Sequence, residues 1–275
     1  MAHIPGAESA TSADSVRATA RAGSPDRYLS ALLAPPVVRD DLIALAAFSA
    51  EIEKIPRLVS DPHLGEIRVQ WWRDTLRSGD PSGHPVADAF MTTMRRHDLP
   101  LGEISGHLDA TVHGLYDDPP ADGTQLSLAI DLDQGVMFTL AARILGAKDV
   151  AGSRGIIYEA AQAYGLVRLG LSLPYDLARG RSPLPASMLA SETAAGGREA
   201  IKQLASKARS HLTHVRTAYP AEPAAIKTAL LPIALVEPYL RALTKQAHDP
   251  VQDIADIAPL TRAWRLAKTH FSGRF

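Results

Sequence analysis

The chain contains no cysteine in its 275 residues, which removes disulfides, thiolate metal sites and cysteine nucleophiles together and fits a reducing compartment. Aromatic residues are sparse, at 5%. Neither sign of charge dominates: the formal net charge is −1, so the overall balance carries no electrostatic footprint for nucleic acid. No uninterrupted apolar run approaches the roughly 20 residues of a membrane-spanning helix. The longest, over residues 42–48 and 229–236, are core-sized. Sustained period-two alternation, fixed-length repeats, a Walker-type loop, a G-x-S-x-G elbow and zinc-ligand spacing are also missing.

What remains is ordinary globular chemistry, with 46% apolar and 21% charged residues, enough for a sizeable core. Residues 1–24 are rich in Ala, Ser and Gly without helical periodicity and read as a disordered tail. Arg17 and Arg21 lend that tail a faint transit-peptide look, which Glu8 and Asp14 oppose. Ser24-Pro25-Asp26 predicts a helix start, with Ser24 as N-cap and Pro25 at the first helical position; Tyr28, Leu29, Leu32 and Leu33 then share one face. Pro35-Pro36 breaks this helix. Further helices are predicted over 39–55, 61–78, 86–97, 101–117, 125–145, 150–173, 198–219, 224–245 and 260–269, with a Pro/Ser/Gly-rich loop over 182–197. The reading is a single all-α bundle spanning 25–275.

Two segments inside apolar runs carry charge: residues 46–57 (AAFSAEIEKIPR) and 165–185 (GLVRLGLSLPYDLARGRSPLP). The first supplies Glu51, Glu53, Lys54 and Arg57, the second Asp176, Arg179 and Arg181. Buried charge is costly unless paired or bound to something, so charges on inward-facing helices point to a cavity for a charged ligand. Carboxylates at i and i+4 stand one above the other on a helix. Two such pairs facing across a bundle suit Mg²⁺ ions that clamp a diphosphate. The plainer alternatives are a solvated helix end closed by Pro56 and an Asp176 that caps a turn.

The order and spacing of several pieces resemble the squalene/phytoene synthase family, head-to-head prenyl transferases of the all-helical isoprenoid-synthase (terpenoid synthase) type. These pieces are Asp26-Arg27-Tyr28-Leu29, Leu45-Ala46-Ala47-Phe48, Trp72-Arg73-Asp74-Thr75-Leu76, Pro85-Val86-Ala87-Asp88-Ala89, the segment 109–120, and Asp176-Leu177-Ala178-Arg179-Gly180-Arg181 before Leu184-Pro185. The resemblance runs from about Asp26 to the end. It implies an Asp-rich helix of the type D-D-I-V-D after the A-F-C-R run, where this chain reads Glu53-Lys54-Ile55-Pro56-Arg57. It also implies two Asp four residues apart before the R-G-R loop, where this chain has Ser172 and Asp176. One carboxylate per segment is a poor cage for Mg²⁺, and Lys54 and Arg57 repel metal. Pro56 and Pro174 are further expected to kink their helices. The segment Phe48-x-x-Glu51 and the helix Gly65-Glu66-Ile67-Arg68-Val69-Gln70-Trp71-Trp72-Arg73 resemble the family's non-catalytic branch of mitochondrial complex I assembly factors.

The expected function is therefore non-catalytic: binding a protein partner or a prenyl or anionic lipid, with respiratory complex I assembly as the role that the resemblance implies, and with no cofactor. Glu53 and Asp176 are remnant catalytic and metal positions. Glu51, Lys54, Arg57, Arg68, Arg179 and Arg181 are candidate lipid-binding residues, since arginine suits phosphate. The alternative is an active Mg²⁺-dependent prenyl transferase that draws on Glu53 and Asp176 with help from Asp131 and Asp133. A carrier or sensor of prenyl diphosphates without turnover is a third reading. Residues 261–275 hold Arg262, Arg265, Lys268 and Arg274 with Trp264 and Phe271 and no acid, a pattern suited to peripheral contact with an anionic membrane or to a frayed terminus. The expected location is the cytoplasm, or the mitochondrial matrix in a eukaryote, at the inner face of the membrane. Trp71 and Trp72 lie about 100° apart on a helix, which predicts one core and one exposed indole. His211 and His214 share a face and are either metal ligands or part of a basic amphipathic helix.

Overall fold

The computed structural model describes residues 5–116 and 118–275, and among these every regular element is helical. In chain order they are α1 (Pro5–Gly23), α2 (Pro25–Leu32), α3 (Pro36–Leu58), α4 (Pro62–Ser78), α5 (Pro85–His97), α6 (Leu101–His113) and α7 (Gly123–Ile130). A π-helical turn (Asp131–Gly135) leads into α8 (Val136–Ile144), followed by α9 (Arg154–Leu177), α10 (Ala194–Ala218), α11 (Ala224–Ala229), α12 (Val236–Leu243) and α13 (Pro259–Ser272). The chain forms two compact units: residues up to Leu115 with Leu140–Gly146, and Tyr116–Thr139 with Ala147–Phe275.

Proline explains several helix starts. Pro25, Pro36, Pro62, Pro85 and Pro259 each open a helix, where the missing N–H would have had no intrahelical partner and the fixed φ already matches the helix. Pro36 thus begins α3 instead of delaying the helix to residue 39. Inside the predicted helix 224–245, by contrast, Pro232 interrupts the ladder: α11 gives way to a 3₁₀ stretch, Leu231–Leu235, before α12 resumes.

The expected tail over 1–24 is corrected over its described part. Residues 5–23 form α1, in which Val16 and Ala20, one turn apart, are buried. Ala supplies helix propensity, and those two small apolar side chains face the core of the first unit. Residues 1–4 lie outside the described residues. Ser24 makes no side-chain cap; its N–H donates to Ala20 O at 2.9 Å and its carbonyl accepts from Tyr28 N at 2.9 Å, so it joins α1 to α2. At this junction a Cβ on Gly23 would lie 2.5 Å from Ala50 Cβ on α3. Because Ala50 has no rotamer to adjust, Gly23→Ala must force the two helices apart, and we expect a net loss of about 1–2 kcal/mol in urea denaturation despite alanine's better helix propensity.

The core of the first unit is a ring cluster. Phe48 stacks flat on Phe90 with centroids 4.1 Å apart and receives the edge of Trp72 at 5.4 Å. Trp72 is 4% and Trp71 40% exposed, the predicted split. In the second unit α9 is the central element, burying Ile157, Ala160, Ala161, Tyr164 and Val167, and α10 lies against it through Ala200, Leu204, Ala208 and Leu212. Small side chains let these two long helices approach closely. Tyr219 closes the far end of α10: its hydroxyl donates to Lys227 O at 3.0 Å, and burial pushes its pKa up to about 12.

Candidate functional site

The first charged segment occupies the last turns of α3. The helix continues through Pro56 to Leu58, so the expected kink does not disrupt the register of the acids. The Ser49 hydroxyl donates to Glu53 Oε1, one turn along, at 2.8 Å. Proline here sits so near the helix end that it deprives only a late carbonyl of its donor. Glu51 is the one buried charge of the segment, 8% exposed, and Lys54 Nζ donates to its Oε1 at 2.5 Å. Arg27 of α2, itself buried, places Nη1 3.6 Å from Glu53 Oε1. Each carboxylate therefore faces a cation of the protein, while Lys54 and Arg57 reach solvent. Arg68 is likewise exposed on α4.

The second segment is the end of α9 and the turn after it. Pro174 lies inside the helix, which runs on to Leu177, as α3 does past Pro56. The Asp176 carbonyl accepts from Arg179 N and Arg181 N, both at 3.0 Å, so Asp176 organises the turn through its backbone, with Gly180 at φ +72° completing it. Asp176 is half-buried, and Arg179 is exposed with its guanidinium 4.5 Å from the Tyr175 ring centre. Ser172 donates to Leu169 O at 3.3 Å.

Asp131 and Asp133 fall in the π-helical turn that interrupts the predicted helix 125–145. Such turns add a residue to the helical ladder and recur at functional sites. Asp131 pairs with Arg154 through Oδ2, and a Cβ on Gly135 would lie 2.3 Å from its Oδ1, so glycine leaves room for the carboxylate. Asp133 Oδ2 accepts from Gln134 Nε2 at 2.6 Å.

Among the described residues, the three His or acidic side chains that converge within 4.8 Å are Glu159, His211 and His214. The histidines are visible in the sequence as an i, i+3 pair on α10. Glu159 lies 52 residues before His211 on α9, and no local pattern signals it.

Near the C-terminus the basic residues divide. Arg262 is buried, its Nη2 donating to Tyr239 Oη at 2.9 Å and to Asp256 Oδ1 at 2.8 Å, so it holds the fold together and is withdrawn from the expected basic surface. At 100° per residue, Leu260, Trp264 and Phe271 fall on one side of α13 and Arg262, Leu266 and Thr269 on the other. The second set is buried; the first is exposed, Leu260 and Phe271 at 81% each, with Arg265 and Lys268 beside it. On α4, Leu64, Ile67 and Trp71 form a second exposed apolar stripe. No described helix is long and apolar enough to cross a membrane.

Residues 20–267 match the family model of squalene/phytoene synthase. Over 259 residues the chain is 27% identical to NADH dehydrogenase (ubiquinone) complex I, assembly factor 6, of Bos taurus, covering 86% of this chain and 78% of that protein. The Homo sapiens protein of the same name is 25% identical over an equal length and coverage. Among solved structures, the chain is similar to a dehydrosqualene synthase, with a TM-score of 0.77 and 14% identity over 98% of this chain and 99% of that one. Squalene synthase HpnC from Alicyclobacillus acidocaldarius gives a TM-score of 0.71 and 17% identity over 88% and 96%. Both likenesses establish the all-helical terpenoid-synthase fold.

Proposed function

We propose, since the chain belongs to the squalene/phytoene synthase family, that it is a non-catalytic member that acts by binding, in the assembly of respiratory complex I. The observation that carries this reading is the counter-charging of α3: Lys54 on Glu51 and Arg27 on Glu53, with Arg57 one turn beyond. A family member that ionises a prenyl diphosphate needs carboxylates left to Mg²⁺, and Mg²⁺ demands near-octahedral oxygen ligands with little tolerance for competing cations. Here the cations are built into the chain, and on α9 Ser172 stands where the family pattern carries the first of its two Asp. The residues present do not fit a metal-diphosphate clamp, so no cofactor is assigned. Likeness to the Bos taurus and Homo sapiens assembly factors supports a protein partner.

Two faces suit such a role. The stripe Leu64, Ile67 and Trp71, edged by Arg68, offers apolar area to a protein partner. The stripe Leu260, Trp264 and Phe271, flanked by Arg265 and Lys268, offers aromatic and cationic contact to an anionic membrane surface, which supports a location at the inner face of the membrane, on the cytoplasmic or matrix side. Arg179 and Arg181 remain candidates for an anionic lipid headgroup.

The test is binding and turnover of farnesyl and geranylgeranyl diphosphate by the purified chain, with and without Mg²⁺. The expected result is no condensed hydrocarbon product and no gain in affinity on adding Mg²⁺. Mg²⁺-dependent binding accompanied by a head-to-head product overturns the reading in favour of an active prenyl transferase using Glu53, Asp176, Asp131 and Asp133.

A further inference from the structure

We infer that Glu159, His211 and His214 form a binding site for a divalent transition-metal ion of the Zn²⁺ class. Glu159 Oε2 lies 2.7 Å from His211 Nδ1 and 3.1 Å from His214 Nδ1, so both imidazoles aim the same nitrogen at one carboxylate oxygen. Two imidazoles and a carboxylate are a donor set that selects Zn²⁺ and its neighbours over Mg²⁺ or Ca²⁺. The geometry needs little change. Bonds of about 2.0–2.1 Å in a tetrahedron place ligand atoms about 3.3–3.4 Å apart, so the contact to His211 opens by about 0.6–0.7 Å and that to His214 by about 0.2–0.3 Å to admit an ion between them.

The support is rigid. Glu159 and the two histidines stand on α9 and α10, the longest helices of their unit, which are locked together by Ala160, Ala208 and Leu212. The Tyr158 ring meets His211 edge-on, centroids 6.4 Å apart, and fixes the plane of that imidazole. Glu159 and His211 are about three-quarters buried, while His214 is open to solvent, leaving an approach for the ion and a fourth position for water. On binding, the metal takes the place of the protons between the three groups. A neutral ring moves its Nδ1 proton to Nε2, and a charged ring releases one proton to solvent. The ion then ties Glu159 of α9 to a histidine pair of α10 that begins 52 residues later.

The experiment is calorimetric titration of the tag-free full chain with Zn²⁺, paired with the visible spectrum of the Co²⁺-loaded protein. The expected result is one ion per chain, a rise in melting temperature with Zn²⁺, and the intense Co²⁺ bands of a low-coordinate nitrogen–oxygen site. Loss of even an outer-shell partner weakens a metal site about 10–100-fold, so His211→Ala and Glu159→Gln should each weaken binding at least about tenfold, while His63→Ala leaves it unchanged. Glu159→Gln preserves size and one acceptor oxygen, and the Co²⁺ spectrum of the unaltered chain needs no variant at all. Zn²⁺ binding equal in the unaltered chain and His211→Ala, or only the weak bands of hexa-aquo Co²⁺, overturns the site and leaves the three side chains as a hydrogen-bonded clasp.

Discussion

Phe48→Ala is expected to lower the stability of the protein by about 3–5 kcal/mol, the range for truncating a large buried aromatic. Phe48 is fully buried and makes two of the ring contacts that hold the first unit: face to face with Phe90 at 4.1 Å and against the edge of Trp72 at 5.4 Å. Each such pair adds about 0.5–1.5 kcal/mol beyond area burial. The site cannot collapse to recover the loss, because the neighbours on α3 are Ala46, Ala47 and Ala50, already the smallest side chains available. Phe48→Leu retains most of the volume but none of the stacking and should cost about half as much. Urea denaturation measures both, with the midpoint falling at unchanged slope. A loss under about 1 kcal/mol for Phe48→Ala would mean that the ring stack contributes nothing.

Asp41→Ala is expected to cost about 2–3 kcal/mol. The Asp41 carboxylate is buried and accepts from Thr93 Oγ1 at 3.2 Å, from Arg96 Nη1 at 3.0 Å to each oxygen, and meets His97 Nε2 at 2.9 Å. These partners all come from the last turns of α5, so one carboxylate ties the start of α3 to the end of α5. Removing one member of a buried ionic pair costs about 3–5 kcal/mol when the other is stranded. Here Arg96 is half-exposed and returns to water, and Thr93 keeps its bond to Ala89 O at 3.1 Å. The group left stranded is His97, which places the loss below that range. A double-mutant cycle between Asp41 and His97 isolates the pair, with a coupling of at least about 1 kcal/mol expected. Strict additivity would show that the contact carries no energy of its own.

Where the ends of a helix announce themselves locally, the sequence and the structure agree. Helix α4 begins after Asp61, whose side chain accepts from His63 N at 3.0 Å, and ends at Gly79 in the left-handed conformation. Both are short-range signals, and the predicted bounds 61–78 follow from them. Helix α1 is not legible in the sequence, because the apolar stripe among its described side chains is no more than Val16 and Ala20, and its fit against α3 turns on Gly23 meeting Ala50. The π-helical turn was equally invisible, since an extra residue in a helix leaves composition unchanged while shifting the phase of everything after it. The same division holds for the functional residues. Glu51 and Lys54 are three apart, and their pairing follows from helical geometry alone. The Arg27–Glu53 pair and the approach of Glu159 to His211 and His214 join different helices, and only tertiary packing brings them together.

The prolines that open α2, α3, α4, α5 and α13 have an effect that no contact in the folded protein displays. Each restricts the backbone of the denatured chain to a narrow range of φ, so fewer conformations are surrendered when the helix forms. Where the native geometry already accepts the ring, one such restriction stabilises by about 0.4–1 kcal/mol. Sites this far apart act almost independently, so five together contribute about 2–5 kcal/mol, a substantial part of the 5–15 kcal/mol typical of a whole domain. Much of the tolerance of this fold to changes in its surface thus resides in the ensemble it leaves behind on folding, and replacing these prolines by alanine would weaken the protein while leaving every packed contact in place.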